Sequence, residues 1–299
     1  LHQSPSTPLD QRALRRAFRR AAGTVARASF LDREIERRMA ERLEYIRLEP
    51  KRVLDAGAGR GASPALLRGR YPKAEIVVTD LVPELLRAAS GTLTLADRAK
   101  RLLGAPPTRF ACAELATLPF AAGAFGLVWS NLALSFSTDI AATLAEWLRV
   151  LEVGGLAMFT AYGPDTLKEL RAGFGAAAPG TRVQTFMDMH DVGDLLVGAG
   201  FADPVMDMEM LTLTYDDVAS IVRDLRHSGR QSALAARPRG LTTPRAWQRM
   251  VLAYEAQRSD GRLPVTVEVV YGHAWKVAPR SVADGRAIIR FDRTIRGSN

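Results

Sequence analysis

Cysteine is nearly missing from this chain of 299 residues, with Cys112 the single one. A disulfide framework and any cysteine-rich zinc site are thereby excluded, and a reducing, cytoplasmic compartment is expected. His190 and His273 are not at metal spacing with each other or with Cys112, so no metal site is expected. No apolar run approaches the ~18 residues of a membrane-spanning helix. The opening LHQSPSTPLD lacks the charged-then-apolar order of a signal peptide, so no membrane association is expected. Lysine is scarce as well, supplying five of the 41 basic residues (Lys51, Lys73, Lys100, Lys168, Lys276). What remains is ordinary for a globular protein: 47% hydrophobic and 24% charged residues, with a mean hydropathy of −0.04. That composition excludes a disordered tail protein or a collagen-like fibre.

The net charge of +9 first suggests a nucleic-acid partner. Its distribution argues otherwise. Residues 12–52 carry 13 basic and 6 acidic side chains, a net +7, and residues 223–262 carry 9 and 3, a net +6. Between them, residues 53–222 carry 13 basic and 19 acidic side chains, a net −6. No RNA-binding module is present, so no nucleic-acid partner is expected.

The periodicity predicts a disordered segment over 1–10, then two helices over 11–48, with Asp10 and Ser29 as their caps. Arg12, Arg15, Arg16, Arg19 and Arg20 form a stripe opposite the apolar face of the first. Strands follow at Arg52–Ala56, Glu75–Asp80, Thr108–Ala113, Phe125–Ser130 and Leu156–Ala161, alternating with helix-length segments. That alternation means an α/β fold with a parallel sheet and helices on both faces. Further strands are expected at Ala202–Leu213 and Val265–Lys276, with helices at about 165–174, 188–198, 216–228 and 244–259. A helix at 93–103 and a late strand at Ala287–Phe291 are also expected.

The chemistry concentrates at Asp55-Ala56-Gly57-Ala58-Gly59-Arg60-Gly61, which ends one strand and opens a helix. Glycine at alternate positions permits a tight turn and a close ligand approach. Asp80 ends the next strand, where an acid suits ribose hydroxyls. An acid at the head of the loop would repel a pyrophosphate but suits a cationic ligand. The order D-x-G-x-G-x-G resembles motif I of the class I S-adenosylmethionine-dependent methyltransferases. That resemblance implies S-adenosyl-L-methionine as cofactor and a Rossmann-like fold with a seven-stranded, mostly parallel sheet. It assigns cofactor binding to Asp55, Gly57, Gly59, Gly61, Asp80, Leu81, Glu114, Leu115, Ser130, Asn131 and Arg20.

Strings outside the motif, among them RRAFRRAAGTVARASFLDREI at 15–35, GPDTLKELR at 163–171 and VEVVYGHAWK at 267–276, resemble the malonyl-acyl-carrier-protein O-methyltransferases of biotin synthesis. The resemblance covers about residues 11–292. It implies an N-terminal helical lid at 11–48 and a methyltransferase domain at 51–299 with substrate insertions at about 163–187 and 215–262. It implies methyl transfer to the free carboxylate of malonyl-acyl-carrier protein. A carboxylate of pKa near 4 is ionised at neutral pH, so no general base and no catalytic triad are required. A cation or amide donor near the methyl is expected instead: Arg171 is the first candidate, Arg223 and Arg226 stand behind it, and Tyr162 and Asn131 complete the catalytic set. The basic segments 12–20 and 223–262 are expected to dock an acidic carrier protein, and the chain is expected to be a monomer. Val25-Ala26 stand where the family often has Tyr-Asp, Gly126 where a strand Asp is common, and Ser135-Phe136 where Gln-Trp follows. These departures leave open a related enzyme acting on another acid or a protein arginine, and a non-catalytic assembly or binding protein.

Overall fold

A computed structural model of the protein describes residues 8–61, 63–92, 104–177, 180 and 182–278. The segments expected to form a helix at 93–103 and a strand at 287–291 lie outside the described residues.

Seven strands build one sheet among these residues: β1 (Arg52–Ala56), β2 (Glu75–Asp80), β3 (Thr108–Cys112), β4 (Phe125–Ser130), β5 (Leu151–Tyr162), β6 (Ala202–Tyr215) and β7 (Leu263–Trp275). Their order is β3-β2-β1-β4-β5-β7-β6. The first five pair in parallel, and β7 is antiparallel to both β5 and β6. The central strands read as continuous apolar runs because both faces are covered. Alternate residues then feed two separate cores. Val53, Ile76, Val78, Leu127 and Trp129 face one side, with Leu31, Ile35, Met39 and Leu43 of a lid helix. Leu54, Val77, Val128 and Phe159 face the other, with Leu144, Trp147 and Leu196.

The segment expected to form a lid is three helices where two are expected: α1 (Gln11–Ala21), α2 (Val25–Ala28) and α3 (Phe30–Leu43). Asp10 caps α1 by accepting from the Ala13 amide at 3.0 Å. Ser29 precedes α3 but gives it no side-chain cap; its hydroxyl donates to the Ala26 carbonyl at 3.1 Å. The expected disorder of 1–10 does not extend to its last residues. Leu9 bridges Leu234, and the Asp10 amide donates to the Ala233 carbonyl at 2.7 Å.

The remaining helices are α4 (Ser63–Arg70), α5 (Pro83–Ser90), α6 (Ile140–Val150), α7 (Lys168–Ala177), α8 (Met189–Ala199), α9 (Val218–His227) and α10 (Pro244–Glu255). A short 3₁₀ turn covers Ala133–Phe136. β5 begins at Leu151, directly after α6, and not at Leu156; its register against β4 shifts between Phe125 and Leu127. Gly154, at φ +85°, therefore bends the start of this strand. None of the described helices is long and apolar enough to cross a membrane.

Candidate functional site

A cavity of about 350 Å³ opens at the carboxyl ends of β1, β2 and β4 and is roofed by the lid. Ligands in open α/β sheets bind at this edge, and the volume falls within the ~300–1,000 Å³ of small-molecule sites. The floor is the glycine loop. Gly57, Gly59 and Gly61 all have positive φ, at +78°, +56° and +78°. The Gly57 and Ala58 amides both donate to the Thr79 carbonyl at 2.9 Å, which turns the chain sharply out of β1. A Cβ on Gly57 would lie 2.3 Å from the Ala133 Cβ, so two backbones meet there as only glycine allows.

Acids surround the cavity. Asp80 accepts from the Val82 amide at 2.8 Å through Oδ1 and from the Gly59 amide at 2.9 Å through Oδ2. Burial pushes its pKa up to about 6, against the pull of those amides. Glu114 accepts from the Gln11 side chain of α1, which ties the lid to the strand-three acid. Glu36 of α3 also lines the cavity, and its pKa is raised by burial. Asp55 sits behind the glycine loop. Its pKa is raised well above the ordinary range by burial and by the charges of Glu36 and Asp80, with the Ser63 hydroxyl opposing. Neither of its oxygens finds a hydrogen-bond donor in geometry. A cavity walled by the carboxyls of Asp32, Glu36, Asp80 and Glu114 fits a ligand that carries positive charge and no phosphate. S-Adenosylmethionine is such a ligand, and Asp80, Glu114 and the glycine loop are the groups that would hold it.

Most of the expected cofactor residues meet here: Gly57, Gly59, Gly61, Asp80, Leu81, Glu114, Leu115 and Asn131 all line the cavity. Ser130 stands one layer behind, its hydroxyl donating to the Ala56 carbonyl at 2.8 Å and holding the ends of β4 and β1 together. Asn131 donates to the Asp32 carbonyl at 3.0 Å and accepts from Thr160 at 2.7 Å, so its amide orientation is fixed. Arg20 is exposed on α1 and outside the lining, because helical spacing turns it about 100° away from Ala21 and about 120° from Leu14.

Arg171 does not reach the cavity either. Its guanidinium donates to the carbonyls of Gln184 at 3.0 Å, Pro164 at 2.6 Å and Thr166 at 3.2 Å, and so clasps one insertion to the end of β5. Arg223 and Arg226 are exposed. Val25 lines the cavity, and the aromatic wall beside it comes from Phe18 and Phe136, packed edge to face at 5.2 Å.

A second cavity, of about 380 Å³, lies between the insertions and takes Tyr162 in its wall. Tyr162 packs on Phe186 at 5.2 Å and Phe136 at 6.3 Å, and burial raises its pKa. Three residues belong to both cavities: Phe136, Ser228 and Arg230. Arg230 keeps 15% of its side chain exposed, pairs with Asp32 of α3, and stands 5.5 Å from the centre of the Tyr162 ring. Burial lowers its pKa, and the Asp32 carboxylate more than offsets that and raises it. Asp32, Glu36, Phe18 and Arg230 escape the sequence reading. Asp32 and Glu36 lie on one side of α3 four residues apart, which is the only local signal they carry.

Comparison with known proteins extends these observations. A family profile described as a methyltransferase domain matches residues 54–159. Over 285 residues, 94% of this chain, the sequence is 50% identical to malonyl-(acyl-carrier protein) O-methyltransferase of Laribacter hongkongensis, covering 96% of that protein. It is 46% identical over 282 residues to the enzyme of the same name from Gallionella capsiferriformans, covering 94% of this chain and 96% of the relative. Among solved structures, the YcgJ protein from Bacillus subtilis superposes with a TM-score of 0.56, covering 81% of this chain and 97% of that one at 17% identity, a likeness of fold.

Proposed function

This chain belongs to the family of the malonyl-(acyl-carrier protein) O-methyltransferases, has the class I methyltransferase fold and uses S-adenosylmethionine; from that premise we propose that it methylates the free carboxylate of malonyl-acyl-carrier protein. The observation that carries the reading is a lidded, acid-lined cavity opening beside a second, aromatic-walled one. When bound, the cofactor supplies an electrophilic methyl on a sulfonium. The protein's part is placement. Asp80 would hold the ribose hydroxyls of the bound cofactor and Glu114 its adenine amine. Asn131, locked by Thr160 and the Asp32 carbonyl, fixes the wall where β4 ends. The apolar side chains of Phe18, Leu14 and Phe136 exclude water, which raises the nucleophilicity of an already ionised acceptor carboxylate.

The carrier protein docks, in this reading, on the two basic segments. They are 200 residues apart in sequence and adjacent in space. Leu9 bridges Leu234, the Ala235 amide donates to the Pro8 carbonyl at 2.8 Å, and Arg237 pairs with Asp10 at 3.1 Å. Arg12, Arg15, Arg16, Arg19 and Arg20 of α1 and Arg223, Arg226 and Arg239 beyond it are exposed. Guanidinium groups in such an array suit the carboxylates of an acidic helix.

The direct test is incubation with S-adenosylmethionine and malonyl-acyl-carrier protein, followed by mass spectrometry. One methyl added to the malonyl group is expected. A chain that binds S-adenosylmethionine yet leaves the malonyl thioester unmodified would overturn the assignment. Charge reversal of Arg12, Arg15, Arg16 and Arg19 together is expected to raise KM for the carrier substrate and flatten its salt dependence. An unchanged KM would remove the docking claim.

A further inference from the structure

Methyl transfer needs its two reactants to arrive from different sides and touch at one point. The two cavities have that form, because they are separate volumes with three residues in common. Of the three, Phe136 is apolar and the Ser228 hydroxyl is spent on the Leu225 carbonyl at 3.3 Å. Arg230 is the one that carries charge. Resting on the carboxyl-methyltransferase reading above, we infer that Arg230 receives the acceptor carboxylate at this junction, with the remainder of the acyl thioester in the second cavity.

The chemistry of the guanidinium supports the assignment. It has five N–H donors in a planar fork. Asp32 takes one edge, and the buried Nε has no partner. An arginine so placed can hold a fixed carboxylate on one side and accept a second on the other. The backbone is tied as well, the Arg230 amide donating to the Leu225 carbonyl at 2.9 Å, so the side chain is delivered from a fixed point. Ser232, two residues on and in the wall of the second cavity, has a buried hydroxyl with no partner. It stands ready to donate to an oxygen of the same acyl group. Of the other cations in the second wall, Arg237 is engaged with Asp10 and the Leu234 carbonyl and Arg182 with Thr242, while Arg226 is exposed and does not line the first cavity, so it stands away from the junction.

The test compares the wild-type full chain with Arg230→Gln and Arg230→Lys. It measures turnover of malonyl-acyl-carrier protein, S-adenosylmethionine affinity by calorimetry, and inhibition by the neutral methyl-ester product on the same carrier. For Arg230→Gln, kcat/KM with the malonyl substrate is expected to fall by ~10²–10³-fold, the loss that accompanies removal of a charge-assisted hydrogen-bonding partner. Affinity for the cofactor and for the uncharged product is expected to stay within about threefold, since neither uses the guanidinium charge. Arg230→Lys is expected to recover part of the loss through its positive charge. A loss of less than tenfold in Arg230→Gln would overturn the inference, and so would a parallel loss of cofactor and product binding, which would make Arg230 a fold-holding residue. If the wild type itself leaves malonyl-acyl-carrier protein unmodified, the reading beneath it fails first.

Discussion

The Gly59 amide donates to Oδ2 of Asp80 at 2.9 Å, so the acid that ends β2 is bound to the middle glycine of the loop that ends β1. One hydrogen bond joins the two features that are most conspicuous in the sequence. It fixes the carboxylate while leaving lone pairs for a ligand. Burial still dominates, and the Asp80 pKa rises to about 6. A carboxyl raised above its unfolded value favours folding most where it is protonated, and that contribution declines as pH rises through 6. Cofactor binding has the opposite sign, because ribose hydroxyls require the ionised form. Affinity for S-adenosylmethionine is therefore expected to weaken ~10-fold from pH 7 to pH 5. Calorimetry across that range checks it. In Asp80→Asn the affinity is expected to be ~10–100-fold lower at pH 7 and to lose most of this pH dependence.

Gly57→Ala is expected to remove activity. The position has φ +78°, and a methyl there lies 2.3 Å from the Ala133 Cβ. The left-handed backbone alone costs a non-glycine residue about 1–3 kcal/mol. Moving the 3₁₀ turn that carries Ala133 would also shift Asn131 and Leu132, which line the cavity. Loss of detectable cofactor binding with a lowered Tm is the expected result. A variant that binds the cofactor normally would show the cradle to be looser than its geometry.

The parallel sheet, the glycine loop and both strand-end acids were legible because each is a local pattern. Buried strands read as unbroken apolar runs, and positive φ selects glycine. The arginines were not. Arg171, Arg20 and Arg230 are chemically identical in a sequence, and their roles depend on which distant groups surround them. Arg171 meets three carbonyls and Arg20 meets solvent. Arg230 meets Asp32, 198 residues away, a pairing that no local pattern in its basic segment announces. The same holds for Pro8–Asp10, whose order comes from pairing with residues 233–235.

Gly126 departs from the acid common in its family, and the structure supplies a reason. A Cβ there would lie 2.9 Å from the Pro50 Cβ and 2.8 Å from Oε1 of Glu152. Gly126→Asp is expected to cost about 1–3 kcal/mol by overpacking, with added repulsion from Glu152. The position is not in the cavity wall, so S-adenosylmethionine affinity should be unchanged while Tm falls. Glu152→Ala in the same chain, which removes Oε1 and the repelling carboxylate, is expected to restore part of the stability, and a double-mutant cycle measures the coupling.

Arg171 separates a structural from a catalytic cation most cleanly. Its three carbonyl acceptors, Gln184, Pro164 and Thr166, belong to two stretches of one insertion that frames the second cavity. Burial lowers the Arg171 pKa, although Asp165 and Glu169 oppose that shift, and the guanidinium stays charged at any pH where the fold survives. Arg171→Ala leaves those carbonyls without a donor, and each such loss costs about 1–3 kcal/mol when the group is buried. A lower Tm is expected, with a kcat change no larger than the loosened insertion produces. Arg171→Lys presents one compact ammonium in place of a planar fork and should recover the stability only in part. A variant with the wild-type Tm and a kcat/KM lowered ~10³-fold would return Arg171 to the methyl-transfer site, since fold-holding alone does not produce that pattern.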